Sequence, residues 1–270
     1  MPPAARWLFP LLLLLVVAGG GYYLWQMRQH PATEAPEAAV APSPPTPAPN
    51  TAATSQHPIE EAGSESKAAP LPTLGESDGA LHDGLAAMIN KSALAQYFVF
   101  DGFVRRVVAS VDALPRKSVP QRVLPFKPVP GRFATAGQAE GLLIARENAA
   151  RYGPYVRVAE AVDTRQLVAL YVRFYPLFQQ AYVELGYPNG YFNDRLIATI
   201  DDLLAAPEVP DTVPLTQPKV LYTYADPELE ALSAGQKMML RMGGENEARI
   251  KARLRDIRRA LTAKSAQPSP

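Results

Sequence analysis

The segment Thr164–Leu185, TRQLVALYVRFYPLFQQAYVEL, constrains the fold more than any other stretch. Wound at about 100° per residue, it puts Leu167, Leu170, Phe174, Leu177, Phe178, Ala181 and Leu185 on one stripe. Tyr171, Tyr175 and Tyr182 fall on one flank, Arg173, Gln180 and Glu184 on the other, and Val168, Val172 and Val183 at the back. A helix that is apolar nearly all round must be wrapped by neighbours, so it calls for a multi-helix domain. Pro176 interrupts this helix, at a cost of about 3 kcal/mol in a helix interior. It lies opposite the main stripe, where a bend curves the helix around its core. Gln179 and Gln180 are the other anomaly, because a buried amide without partners costs roughly 1–3 kcal/mol. Either they bond exposed carbonyls, including that of Val172, or they line a site.

Other helices follow by period. Ser77 can cap one that carries Leu81, Leu85, Met88 and Ile89. Val104, Val107, Val108, Val111 and Leu114 mark another, stopped by Pro115. Phe192, Leu196, Ile200, Leu203 and Leu204 turn inward from a helix over Tyr191–Ala206. Asp226 and Pro227 open a single helix through PELEALSAGQKMMLRM, which Gly243 and Gly244 break. The last helix sets Ile250, Leu254, Ile257 and Leu261 against a basic face. Between them, LPRKSVPQRVLPFKPVPG should run extended over the surface, RFATAGQAEGLLIA should form a small hairpin, and KVLYTYA a further short strand. The expected class is mainly α, a multi-helix domain with a small β-hairpin over residues 71–263 and a frayed tail at 264–270.

Ahead of the domain, residues 7–27, WLFPLLLLLVVAGGGYYLWQM, carry no charge and match the roughly twenty residues that cross a bilayer. Trp7 and Phe9 at one end and Tyr22, Tyr23 and Trp25 at the other form interfacial belts. The alternative is a cleaved signal peptide ending near VAGG; the aromatic continuation favours a single-pass transmembrane anchor. Arg6 precedes the run and Arg28 follows it, after which no Lys or Arg occurs before Lys67. The positive-inside rule then places residues 1–6 in the cytoplasm and the domain in the periplasm, on the bacterial inner membrane. Residues 28–70, with APSPPTPAPN as their densest part, are read as a disordered Pro/Ala-rich linker that cannot bury enough apolar surface to fold.

Composition removes whole classes of chemistry. With no cysteine, the chain has no thiol nucleophile, disulfide or cysteine metal site. Its histidines are His30, His57 and His82, and only His82 falls in the expected domain, so a His-rich metal site is excluded. A formal charge of +1 argues against nucleic acid as a partner held by overall charge. No phosphate loop or dinucleotide fingerprint occurs, and no cofactor is called for. Ser77, Ser92, Ser110, Ser118 and Ser233 lack the G-x-S-x-G elbow a hydrolase serine would need beside His82.

Three constellations remain as ligand- or partner-binding candidates. Gln180 lies one turn from Glu184 and two from Arg173; with Gln179 they can meet a polar ligand such as a glycan or peptide. Arg105, Arg106 and Arg116 can gather an anion, or serve structure, with Asp101 spaced to pair with Arg105. Asn193, Asp194 and Arg195 open a helix on which Asp201 and Asp202 follow. Paired acids hydrolyse glycosides at a set separation, whereas first-turn acids also simply suit the helix dipole. From Lys237 to Lys264, nine Lys or Arg face three acids, a solvated face or one that meets an acidic partner or membrane.

Four stretches in order, FVRRVVASVDALPR, ARYGPYV, YPLFQQAYVELGYPNGYFNDRLI and DPELEALSAGQKMMLRMG, resemble the uncharacterised bacterial family known as domain of unknown function 3014, over about residues 71–259. Ala113 and Gly244 stand where the family pattern has Asn and Pro. The resemblance implies an anchored envelope protein and transfers no catalytic residue. The expected function is a non-catalytic envelope module that binds or scaffolds a partner protein or cell-wall component. The alternative is a peptidoglycan-acting hydrolase using acids among Glu184, Asp194, Asp201 and Asp202.

Overall fold

The computed structural model describes residues 54–59, 70–137, 141–210 and 212–265. The expected membrane span 7–27, its flanks and the end of the tail lie outside the described residues. Among the described residues no helix is long and apolar enough to cross a membrane.

The domain is mainly helical. A 3-10 turn at Leu74–Glu76 leads into α1, Ser77–Ala86. Ser77 does not cap this helix; it is buried and its hydroxyl donates to the Leu74 carbonyl. A short helix α2, Lys91–Tyr97, is capped by Asn90, whose side chain accepts from the Ala93 N–H. Helix α3, Phe103–Ala113, starts at Gly102, and the Asp78 carboxylate of α1 accepts from the N–H groups of Gly102 and Phe103, each at 2.8 Å. That carboxylate satisfies amides left open at a helix start.

The proline-punctuated stretch after α3 runs over the surface as expected, pinned at points. Phe98 and Phe126 form a β-bridge, and the Ser110 hydroxyl donates to the Val123 carbonyl at 2.8 Å. Strand β1, Thr135–Ala136, pairs antiparallel with β2, Leu143–Ile144, which is the expected hairpin. A second ribbon joins β3, Leu215–Thr216, to β4, Thr223–Tyr224. The strand expected in KVLYTYA therefore exists, with a partner that the sequence pattern did not single out. The Leu143–Pro214 bridge ties the two ribbons together.

Helix α4, Glu147–Ala161, holds Pro154 and has no counterpart among the sequence-derived helices. The central helix α5, Thr164–Glu184, has Asp163 as its cap and keeps Pro176 in its interior. Phe174, Leu177, Phe178 and Ala181 are buried as the stripe predicts, and Tyr175 and Tyr182 join them from the flank. Leu185 departs from the expected stripe: it lies past the helix end and is 43% exposed. A Schellman turn closes α5, with Tyr187 N–H donating to the Tyr182 carbonyl at 3.3 Å and Gly186 N–H to Val183 at 3.0 Å. Gly186 takes φ +114, a value that suits glycine alone. The same turn stacks Tyr187 on Tyr182, with ring centroids 4.5 Å apart.

Helix α6 is Phe192–Leu204. The stretch expected as one helix after Asp226 divides into α7, Pro227–Ala231, and α8, Ala234–Arg241, because Ser233 and Gln236 form a reciprocal capping box. Helix α9, Gly244–Ser265, packs against α4, α5 and α6.

Three apolar clusters result. One unites α1, α2, α3, α5 and Phe192; one lies beneath the ribbons and α8; the third joins Val168, Ile197, Ile200 and Leu261 of α5, α6 and α9. Part of the basic face of α9 is turned onto neighbouring elements, while Arg255 and Arg259 are exposed. Arg249 pairs with Glu160 of α4, Arg258 with Asp201 of α6, and Arg253 donates to the Val162 carbonyl. The Arg249 hydrogen bond holds the Glu160 carboxyl below its ordinary range.

The reading of residues 28–70 as one continuous linker is corrected at Thr54–Ile59. These six residues lie on the domain, and Ile59 packs against the first apolar cluster. They bring His57 with them, so His82 is not the domain's sole imidazole.

Candidate functional site

An apolar-floored hollow lies where the middle of α3 meets the C-terminal end of α5. Val108 and Ala109 of α3, Val123, Ala181 and Leu185 line about 390 Å³, and Arg105, Arg106, Arg122 and Glu184 stand around it. Helical spacing explains the arrangement: Arg105 and Ala109 lie one turn apart, as do Ala181 and Leu185. Arg105 donates to Glu184 at 3.1 Å, and Gln180 donates to the other carboxylate oxygen at 3.0 Å. Gln180 first and Arg105 second hold the Glu184 carboxyl below its ordinary value. Arg106 is spent on main chain, donating to the Asp101 carbonyl at 2.7 Å and to that of Arg122. The Arg122 side chain is exposed and has no hydrogen-bond or ionic partner among the described residues. Asp101 does not pair with Arg105 as its spacing suggests. Its carboxylate lies 3.5 Å from Arg106, and Arg105 turns to α5 instead.

Arg116 is absent from this hollow. It meets Arg195 on Asp112, a residue the sequence reading did not select. Asp112 is 10% exposed at its side chain and lies 2.5 Å from Arg116 and 3.2 Å from Arg195. Tyr187, delivered by the Schellman turn, donates to Asp112 at 3.1 Å, and Arg116 donates to the Tyr187 oxygen at 2.7 Å. Arg195 also donates to the Asp112 carbonyl at 2.7 Å, and the Thr199 hydroxyl to that of Val111 at 2.9 Å. This hub locks the end of α3 to α6. Both lone-pair sets of its carboxylate are taken, so it holds the fold and presents little to a ligand.

The adjacent glutamines divide. Gln179 Oε1 accepts from the Phe192 N–H at 2.8 Å and from Tyr175 at 3.1 Å, and its Nε2 donates to the Gly190 carbonyl at 2.7 Å. It staples α5 to the start of α6. Neither glutamine bonds the Val172 carbonyl among the described contacts. Arg173 does not join Gln180 and Glu184; it is exposed, with its guanidinium 5.6 Å from the centre of the Phe174 ring. Gln179→Ala should therefore cost roughly 1–3 kcal/mol by leaving the Phe192 N–H and Gly190 carbonyl unmet. Gln180→Ala should change stability by less than about 0.5 kcal/mol. Urea unfolding of the two variants checks this ordering.

The family model described as protein of unknown function DUF3014 matches residues 103–258. The chain belongs to this family. No curated protein and no solved structure matches it. The DUF3014 match begins at the first residue of α3 and ends within α9, so it takes in the hollow, the Asp112 hub and both glutamines.

At the start of α6 this DUF3014 protein holds part of its own N-terminal region. The Asp194 carboxylate accepts from the Ser55 hydroxyl at 3.2 Å, the Gln56 N–H at 3.0 Å and the His57 N–H at 2.8 Å. Asn193 is fully buried; its amide donates to the His57 carbonyl at 2.8 Å and accepts from Tyr171 at 3.2 Å. Burial, then the neighbouring Tyr175 and Asp194, push the Tyr171 hydroxyl well above its ordinary range, so it stays a donor. Asn193, Asp194 and Arg195 thus do not form one site: two clasp residues 55–57 and the third serves Asp112.

The remaining acids are engaged separately. Asp201 takes a two-pronged contact from Arg258 at 2.5 and 3.0 Å, and Asp202 accepts from the Ser233 hydroxyl at 2.7 Å. Among the described residues no group of three or more His, Asp or Glu is placed to hold a metal ion.

Proposed function

We propose that this protein is a non-catalytic binding module of the cell envelope, anchored in the inner membrane by residues 7–27 and facing the periplasm. The observation that carries the binding role is the hollow between α3 and α5. It combines an aliphatic floor with a guanidinium at Arg122 that has no partner among the described residues, next to Arg105, which holds a single exposed carboxylate. That chemistry suits a carboxylate or phosphate set beside aliphatic carbon, as on an acidic segment of an envelope protein or a cell-wall component. The uncharged, aromatic-flanked run at 7–27 supports the anchor. The hydrolase reading loses support because its acids are committed one by one: Glu184 to Arg105 and Gln180, Asp194 to residues 55–57, Asp201 to Arg258, and Asp202 to Ser233.

A photo-crosslinking residue at Ala109 in the full chain, irradiated in cells, tests the module. A discrete adduct is expected, and Arg122→Glu should reduce it roughly tenfold or more by reversing the charge at the rim. An adduct that ignores Arg122→Glu would remove the hollow from the account. Release of peptidoglycan fragments that stops with Asp201→Asn or Asp202→Asn would replace the module with the enzyme.

A further inference from the structure

Thr54–Ile59 is held in the manner of a bound peptide. One carboxylate, that of Asp194, receives two consecutive main-chain N–H groups, Gln56 and His57, on its two oxygens. The next carbonyl, that of His57, is met by Asn193. Gln56 and His57 lie in a bend, and two successive N–H groups turned toward one anion form the kind of concave main-chain cradle that carboxylates bind. Side chains are read at the two ends only, the Ser55 hydroxyl on Asp194 and Ile59 in the apolar cluster. The side chains of Gln56 and His57 make no hydrogen bond among the described residues. The receiving groups are built into the domain. Asn193 is fully buried, and the Tyr171 hydroxyl fixes its carbonyl end so that its NH2 points at the segment. Without the segment, that buried NH2 has no described partner, an arrangement a fold has no reason to keep unless a carbonyl is to be supplied.

We infer that Asn193 and Asp194 form a docking site for a short bent peptide, closed in cis by residues 54–59. The pattern it reads is Ser-x-x-x-aliphatic, where neither of the first two x is proline because both must offer an N–H. This inference stands on the contacts of residues 55–59 and is independent of the hollow between α3 and α5. Because the occupant is tethered, it competes at an effective concentration in the millimolar range, and a free peptide of the same pattern reaches the site only when the resident is weakened.

The test uses the full chain in detergent with Gln56→Pro and Ile59→Ser, which remove one N–H donor and the aliphatic anchor from the resident. A fluorescent peptide of residues 52–61, AATSQHPIEE, is expected to bind this variant at least ~10-fold more tightly than the wild-type chain. Adding Asp194→Asn should erase that gain, and a peptide with proline at the two positions after serine should fail to bind. Equal binding with and without Asp194→Asn, or none to the weakened variant, overturns the proposal. Amide exchange on the wild-type chain gives a second reading that needs no variant to fold. Gln56 and His57 should be protected relative to an unstructured chain, and exchange at unstructured rates overturns it as well.

Discussion

Lys251→Met should lower the stability of the domain by about 3–5 kcal/mol, although it replaces a charged side chain with an apolar one of similar reach. The reason is the company Lys251 keeps. Its side chain and that of Glu247 are 4% and 3% exposed, and Nζ lies 2.7 Å from Glu247 Oε1 and 2.5 Å from the Ala206 carbonyl. The approach to Oε1 is off line for a hydrogen bond, so charge attraction is the main bond between them. Removing the ammonium strands a buried carboxylate. Glu247→Leu strands the ammonium on a lone carbonyl and should be similarly harmful. The double variant, Glu247→Leu with Lys251→Met, should return to within about 1 kcal/mol of the parent or exceed it, since burying two charges is itself expensive. Urea unfolding of all four proteins measures the coupling. If the double variant is as unstable as the two singles summed, the two charges are not sustaining each other.

Phe192→Ala should also cost about 3–5 kcal/mol, through a cavity instead of a charge. Phe192 has no exposed surface, stacks on Phe178 at 5.7 Å and 8°, and leans on Tyr182 at 5.8 Å. Its N–H is the one Gln179 accepts. Because Asn193 and Asp194 follow it directly, loosening this residue should also lift the amide protection of Gln56 and His57. Phe192→Leu, which keeps most of the volume, should lose markedly less stability. A loss below about 1 kcal/mol for Phe192→Ala would mean that the aromatic cluster does not hold the start of α6.

Helices α3, α5, α6 and α9 were legible in the sequence because each buries one continuous apolar face, and burial enforces the 3.6-residue period. Helix α4 was not. Pro154 crosses it, and of its residues only Asn148 and Val156 are buried, so it carries almost no apolar stripe. The break between α7 and α8 was written plainly as Ser233-x-x-Gln236, a capping box masked by helix-forming residues on both sides. The sites were harder. Asp112 and Tyr187 are 75 residues apart, and only the tertiary fold brings them together. Asp194 was picked out for its residue type, but its partners lie in a polar, proline-containing segment whose single aliphatic residue, Ile59, offers no period to read. Arg122 sits in a stretch too irregular for any pattern, and its place beside the hollow depends on how α3 and α5 pack.

Helix α9 follows in sequence every helix it packs against, and this order bears on how the protein is made. Leu261 covers Val168, Ile197 and Ile200, and arginines on the same helix brace α4 and α6. Until α9 emerges during synthesis, that side of the domain has no wall and its aliphatic surface faces water. The nascent polypeptide thus stays open to proteases and chaperones until α9 has emerged, and a stop codon ahead of Gly244 would leave it in that condition.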